Sequence, residues 1–176
     1  MMRRATALCV ALSVAGAAWA GPQREAVLDV LSGVETPPTH ADLQAIGEDV
    51  TSELLDIAAD VSVPASRRGR AITALGFYPT DAVRTFLEAQ LREADTSLYR
   101  RKAVGALATG WGAEALPLLK EALDDADVQL RIATVGALAE LDDGAGIEVL
   151  QQRLVAEPDL HVKDAITKAL KAEVTE

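Results

Sequence analysis

The tetrapeptide Val-Gly-Ala-Leu occurs at 104–107 and returns at 135–138, 31 residues later. Self-similarity at a period of roughly twenty to fifty residues marks a solenoid or repeat array, in which each unit stacks on the next. Other positions keep the same beat. Ala-Leu recurs at 74–75, 106–107, 137–138 and 169–170, at spacings of 32, 31 and 32. Seven residues before each Leu stands a cation: Arg68, Arg100, Arg131 and Lys163. A second apolar pair follows in phase, as Leu87/Leu91, Leu119/Leu123 and Leu150/Leu154. Several independent positions hold one register, so the chain is built from units of 31–32 residues.

Inside each unit the apolar spacing is helical. Ile72 and Leu75, Val104 and Leu107, and Val135 and Leu138 lie three apart, on one helix face. Val83, Phe86, Leu87 and Leu91 follow the same rule in the second half of the unit, as do Leu116, Leu119 and Leu123, and Ile147, Leu150 and Leu154. No run alternates in the manner of a strand. Each unit is therefore a first helix carrying Ala-Leu and a second helix carrying the leucine pair. Turns are expected at the breakers GFYPTD (76–81), TGWG (109–112) and DDGAG (142–146). Asp95, Asp127 and Asp159 stand where each would cap the next first helix.

An earlier unit fits more loosely. THADLQAIG (39–47) reads as a short first helix, opened by a capping box from Thr39 to Asp42, and EDVTSELLDIAAD (48–60) as its second helix. REAVLDVLSG (24–33) reads as a lone helix closed by Gly33, separated from the array by Pro37 and Pro38. The expected count is four helix pairs with a single helix at each end. The boundaries are 21–38 for the N-terminal capping helix and linker, 39–173 for the array and 174–176 for the tail.

Residues 1–20 carry a different message. Arg3 and Arg4 precede an Ala-rich apolar run that ends in Ala18-Trp19-Ala20, a small-x-small cleavage pattern. That is the anatomy of a secretory signal, with cleavage expected after Ala20 and delivery to the periplasm or the exterior; the competing reading is an uncleaved anchor. Cys9 lies inside the apolar run and is the chain's one cysteine. Cleavage would leave no disulfide, no thiolate nucleophile and no Cys metal ligand. The net charge is −10, and −12 without Arg3 and Arg4. Such a chain repels phosphate backbones and anionic headgroups, so nucleic acid and, after signal cleavage, membrane are expected to be poor partners.

The segment GAEALPLLKEALDDADVQLRIATVGALAEL (112–141) resembles the short HEAT-like repeats of bacterial proteins, including the phycobilisome-lyase type. The resemblance lies in a Pro in the first turn of one helix (Pro117), the Leu119/Leu123 stripe, an Asp turn (Asp125, Asp127), Arg131 opening the next helix, and Ala137-Leu138 closing it. It covers about 39–173 and is strongest over 66–170, with Lys163 standing where the pattern has Arg. It implies an all-α fold, a right-handed α-solenoid of antiparallel helix pairs. It also implies a binding or scaffolding role, with the second helices lining the concave face.

No residue pattern carries chemistry by itself. His40 and His161 are far apart and have no second ligand at metal spacing, and they read as solvated or capping residues. The clusters Asp124-Asp125-Asp127 and Asp142-Asp143 lack the calcium-loop pattern and read as capping and turn aspartates. No catalytic residue, cofactor or metal is expected, and the chain is read as a non-enzyme. The row of Arg68, Arg100, Arg131 and Lys163 is read as structural, pairing with aspartates between units. The candidate contact surface is the polar side of the second helices, where Glu88, Lys120 and Gln151 align one per unit. Trp111 between two glycines, with Phe77 and Tyr78 in the equivalent turn one unit earlier, is either an aromatic edge for a partner or folded back over the helix ends. Mixed charge on the polar row points to a protein or peptide ligand. The expected function is an exported scaffold or adaptor that binds a protein partner. The alternatives are a structural subunit of an envelope assembly and, further off, a chromophore-lyase-type enzyme.

Overall fold

The computed structural model describes residues 22–33, 37–47, 49–141 and 144–173. The expected signal segment, the Asp142-Asp143 pair and the tail from 174 lie outside the described residues. Among those described, every regular element is helical. The helices are α1 (Pro22–Val30), α2 (His40–Gln44), α3 (Thr51–Ala59), α4 (Ala65–Ala74), α5 (Asp81–Glu93), α6 (Ser97–Trp111), α7 (Leu116–Leu123), α8 (Val128–Ala139), α9 (Ala145–Ala156) and α10 (Leu160–Glu173). Short 3₁₀ turns at Leu75–Phe77 and Gly112–Ala115 lead out of α4 and α6. In repeat terms α2/α3, α4/α5, α6/α7 and α8/α9 are the pairs, α10 is the last first helix, and α1 covers the start.

The predicted phase holds. Ile72, Leu75, Val104, Leu107, Val135 and Leu138 are all buried, as are Leu87, Leu91, Leu119, Leu123 and Leu150 on the second helices. These residues belong to one continuous core that runs from Val27 in α1 to Ile166 in α10. A single helix pair could not bury its own stripe, so each unit depends on its neighbours.

Helix starts follow capping chemistry. The Thr39 hydroxyl accepts from the Asp42 amide and the Asp42 carboxylate accepts from the Thr39 amide, the reciprocal box expected there. Asp127 caps α8 by accepting from the Gln129 amide at 2.8 Å. Asp159 accepts from the His161 and Val162 amides at 2.8 and 3.2 Å. Asp95 does not repeat the pattern: α6 starts one position later in the register, with Thr96 at its N-cap and no side-chain bond. The TGWG breaker also acts later than expected. α6 continues through Gly110 to Trp111, and the chain turns at Gly112, where φ is +51°. Gly110 serves packing instead, since a Cβ there would stand 3.0 Å from the Gly76 carbonyl oxygen.

The two helix layers are spaced differently. The first helices α4, α6, α8 and α10 pack directly on one another, whereas among the second helices only α3 and α5 make more than marginal contact. Side-chain size explains this. Buried alanines (Ala71, Ala74, Ala103, Ala106, Ala137) lie on the first helices, and buried leucines dominate the second. A stack that is closer on one side bends toward that side, which makes the first helices the inner, concave layer. This corrects the expectation that the second helices line the concave face. At the N-terminal end, α1 packs on α2 and α3, and Arg70 of α4 donates to the Leu31 carbonyl at 3.0 Å and to that of Gly33.

Candidate functional site

The recurring cations are built into the joints. Arg68 Nε donates to the Ala58 carbonyl at 3.0 Å, Arg100 Nε to that of Leu91 at 2.9 Å, and Arg131 Nη1 to that of Asp125 at 2.7 Å. Each guanidinium thus reaches back over the turn and satisfies a carbonyl at the end of the preceding helix or in the turn itself, where the helix leaves acceptors unpaired. The same side chains then link to other groups around the joint. Arg100 pairs with Asp125 in the turn between α7 and α8, and Arg68 lies over the Tyr99 ring at 4.7 Å. Arg131 pairs with Glu157 at 3.0 Å, with side chains 9% and 0% exposed. Arg153 holds the other oxygen of Glu157 at 2.8 Å and also pairs with Asp124. Burial works to raise the Glu157 carboxyl, but the Asp159 amide and the two guanidiniums outweigh it and hold it below the usual range. Lys163 makes no such bond with the described residues.

The row of Glu88, Lys120 and Gln151 stands on α5, α7 and α9, in the wider-spaced outer layer. Long ion pairs bridge the gaps there. Arg92 of α5 reaches Glu121 of α7 at 3.3 Å, and Arg84 reaches Glu114 at 3.8 Å. Glu88 is half-buried between Arg84 and Arg92, each 3.1 Å away. Burial tends to raise its carboxyl, yet the hydrogen bonds from Arg92 and Arg84 leave it below the ordinary value. Glu88 is thus already neutralised. Lys120 and Gln151 are exposed, and Lys120 forms no ion pair among the described residues.

The aromatic positions are half-buried. The Phe77 ring stacks on His40 with centroids 5.4 Å apart, and Tyr78 meets the same imidazole edge-on at 5.3 Å. His40 is therefore a packing residue beside the turn. Burial, with the nearby Asp49 carboxylate, pushes the Tyr78 hydroxyl up, and that oxygen has no hydrogen-bond partner among the described residues. Trp111 lies beneath the Arg84 guanidinium, 5.8 Å from its centroid. His161 is exposed at the start of α10.

A second surface escaped the sequence reading. Two of the inner helices leave a narrow stripe open to solvent: Leu98, Arg101, Lys102, Gly105 and Thr109 on α6, and Gln129, Ile132, Ala133 and Gly136 on α8. The stripes occupy equivalent register and lie side by side because these helices pack directly together. Two signals could have revealed it. The repeated Val-Gly-Ala-Leu puts a glycine in two helix interiors, and α4 and α6 together hold six of the 17 Lys and Arg and none of the 27 Asp and Glu.

An all-helical array of stacked pairs with one continuous core defines an α-solenoid. Residues 85–171, from within α5 to the last turns of α10, match the family model of HEAT repeats, and this stretch of the chain is a HEAT-repeat array. No curated protein matches the chain.

Proposed function

We propose that this protein is an exported, non-enzymatic scaffold or adaptor that holds a protein partner against its helical array. The observation that carries the reading is the in-register presentation of side chains, unit after unit, by helices stacked on one core. Such a surface offers extended contact at little ordering cost, because rigid elements already hold the side chains in place. The signal anatomy of residues 1–20 supports export. The outer row of Glu88, Lys120 and Gln151, with Trp111, Phe77 and Tyr78 at its turns, is one contact surface and the inner stripes are the other.

The test is crosslinking of tagged full-length protein in its own cells, followed by mass spectrometry. A control carries Glu88, Lys120 and Gln151 all changed to Ala. One dominant protein partner supports the scaffold, and its loss in the control assigns the outer row. Self-crosslinks alone, unchanged in the control, overturn the scaffold in favour of a subunit that assembles with its own copies.

A further inference from the structure

We propose that the cleft at the joint between α5 and α6 binds a basic side chain carried on an apolar-flanked segment of a partner protein; this rests on the scaffold reading and names a site and the partner's chemistry there. The joints α5–α6, α7–α8 and α9–α10 share one pattern, an acid two residues ahead of an aspartate: Glu93 and Asp95, Asp125 and Asp127, Glu157 and Asp159. In the last two joints both acids are engaged. Asp125 accepts from the Asp127 amide at 2.8 Å and pairs with Arg100, and Glu157 accepts from the Asp159 amide at 3.0 Å and pairs with Arg131. Asp127 and Asp159 then cap the helices that follow. The α5–α6 joint does none of this. Glu93 and Asp95 are exposed, and neither carboxylate forms a hydrogen bond or ion pair among the described residues.

Two changes in the sequence free these acids. Asp95 stands five residues before Arg100, whereas Asp127 and Asp159 stand four before Arg131 and Lys163, so one extra residue carries both acids away from the start of α6. Tyr99 also takes the place that Leu130 and Val162 hold one position before those cations, and its ring draws the Arg68 guanidinium to 4.7 Å. Arg68 lies 25 residues ahead of Glu93, as Arg100 does ahead of Asp125, so the cation due to Glu93 is engaged elsewhere. The result is a cleft of about 420 Å³ whose lining includes Val61, Arg68, Glu93, Asp95, Thr96 and Tyr99, a size within the roughly 300–1,000 Å³ of ligand sites. Its free groups select a cation. Glu93 ends α5, where the negative end of the helix disfavours a carboxylate and favours a positive charge beside it. Tyr99 is 7% exposed, and its hydroxyl, which makes no hydrogen bond among the described residues, is open to accept from an ammonium or a guanidinium. At the rim Val61 is 84% exposed, a seat for an apolar neighbour of that cation. Among the described residues no three metal-ligating side chains converge, so the site does not suit a divalent ion.

The direct experiment is an NMR titration of the ¹⁵N-labelled full-length protein with the acetylated and amidated tetrapeptide Leu-Arg-Leu-Arg at about 20 mM salt, where screening is weak. The amides of Val61 and of residues 93–99 should shift saturably, and Leu-Glu-Leu-Glu should leave them in place. E93Q/D95N should raise the Kd at least about tenfold, and E140Q/E148Q, an equal charge change on exposed positions of α8 and α9, should leave it unchanged. Tyr99→Phe keeps the ring beneath Arg68, removes the hydroxyl and should weaken binding about fivefold. The proposal is overturned if Leu-Arg-Leu-Arg shifts no amide of residues 93–99, or if E140Q/E148Q weakens it as much as E93Q/D95N. Spermidine that saturates the same amides as tightly as the peptide overturns it in favour of a free polyamine. It is also overturned if a double-mutant cycle in urea unfolding couples Arg68 to Glu93 as strongly as Arg100 to Asp125, because the chain would then close the joint with its own cation. The crosslinking result stands apart. A captured partner with no peptide shift at the joint overturns this site and leaves the scaffold, and self-crosslinks alone with peptide shifts at the joint overturn the scaffold and leave a peptide site.

Discussion

The inner and outer layers of this array share one core but are held by opposite means. The inner helices meet through alanines and glycines at close range, and the outer helices stand apart on leucines and are bridged by long ion pairs. The inner layer therefore depends on the absence of side-chain volume and the outer layer on its presence. Charge is paired in both layers: Arg100 of α6 and Arg131 of α8 meet Asp125 and Glu157 at the joints, and Arg84 and Arg92 of α5 meet Glu88, Glu114 and Glu121 outside.

The largest effect is expected where the layers are tied together. Arg131 from the inner layer and Arg153 from the outer one share the carboxylate of Glu157, which is 1% exposed. Glu157→Ala leaves a buried guanidinium without its partner and should cost about 3–5 kcal/mol in urea unfolding at neutral pH. The carboxyl is held below its ordinary value in the folded state. Its contribution is thus full above the unfolded glutamate range, about pH 4.3, and is lost as pH falls through the lower folded value. The gap between wild type and variant should narrow from pH 5 toward about pH 3. A gap that stays constant over that range would remove the tie from the comparison.

The next two variants test one layer each. Leu119→Ala removes volume from a fully buried position on α7 and should cost about 2–5 kcal/mol, measured by the same unfolding curves. Gly146→Ala adds volume where the inner helix α8 meets the start of α9, because the new Cβ would fall 1.9 Å from the Leu138 carbonyl oxygen. Backbone must move to admit it, at a cost of about 3 kcal/mol. If Gly146→Ala proved neutral, close approach would not be what holds α8 to α9.

Most of this fold was legible because a repeat states its phase several times. The leucine and Ala-Leu positions averaged out the weakness of any one signal, and the capping aspartates at 127 and 159 fixed two helix starts. What failed was geometry that depends on differences between layers. Periodicity reports which face is buried, but it carries no measure of spacing, so it could not tell that alanine-lined helices lie on the inside of the bend. Asp95 failed as a cap because α6 begins at Ser97 and leaves it one position too early. The candidate site was less legible still. Glu88 aligns with Lys120 and Gln151 in sequence, but its two arginine partners at i−4 and i+4 already occupy it. Phe77 and Tyr78 aligned with Trp111 as an edge, and the His40 ring that half-covers them comes from 37 residues upstream of Phe77.

The smallest effect sharpens the comparison most, because its sign is opposite. Gly105 and Gly136 lie in the middle of α6 and α8 with open space where a side chain would be. Gly76 and Gly146, by contrast, stand against the backbone of a neighbouring helix, with Ala106 and Leu138 carbonyl oxygens within 2.8 Å of an added Cβ. Gly105→Ala and Gly136→Ala restrict the unfolded chain and improve helix propensity without displacing anything. Each should raise stability by about 0.5–1 kcal/mol, read as a higher urea midpoint with an unchanged slope. A stabilised protein would mean that these two glycines are maintained at a cost to the fold, which places their reason in what the inner face meets. A destabilised one would mean that α6 and α8 need the glycines for their own packing, and the open space above them would then be part of the core's architecture.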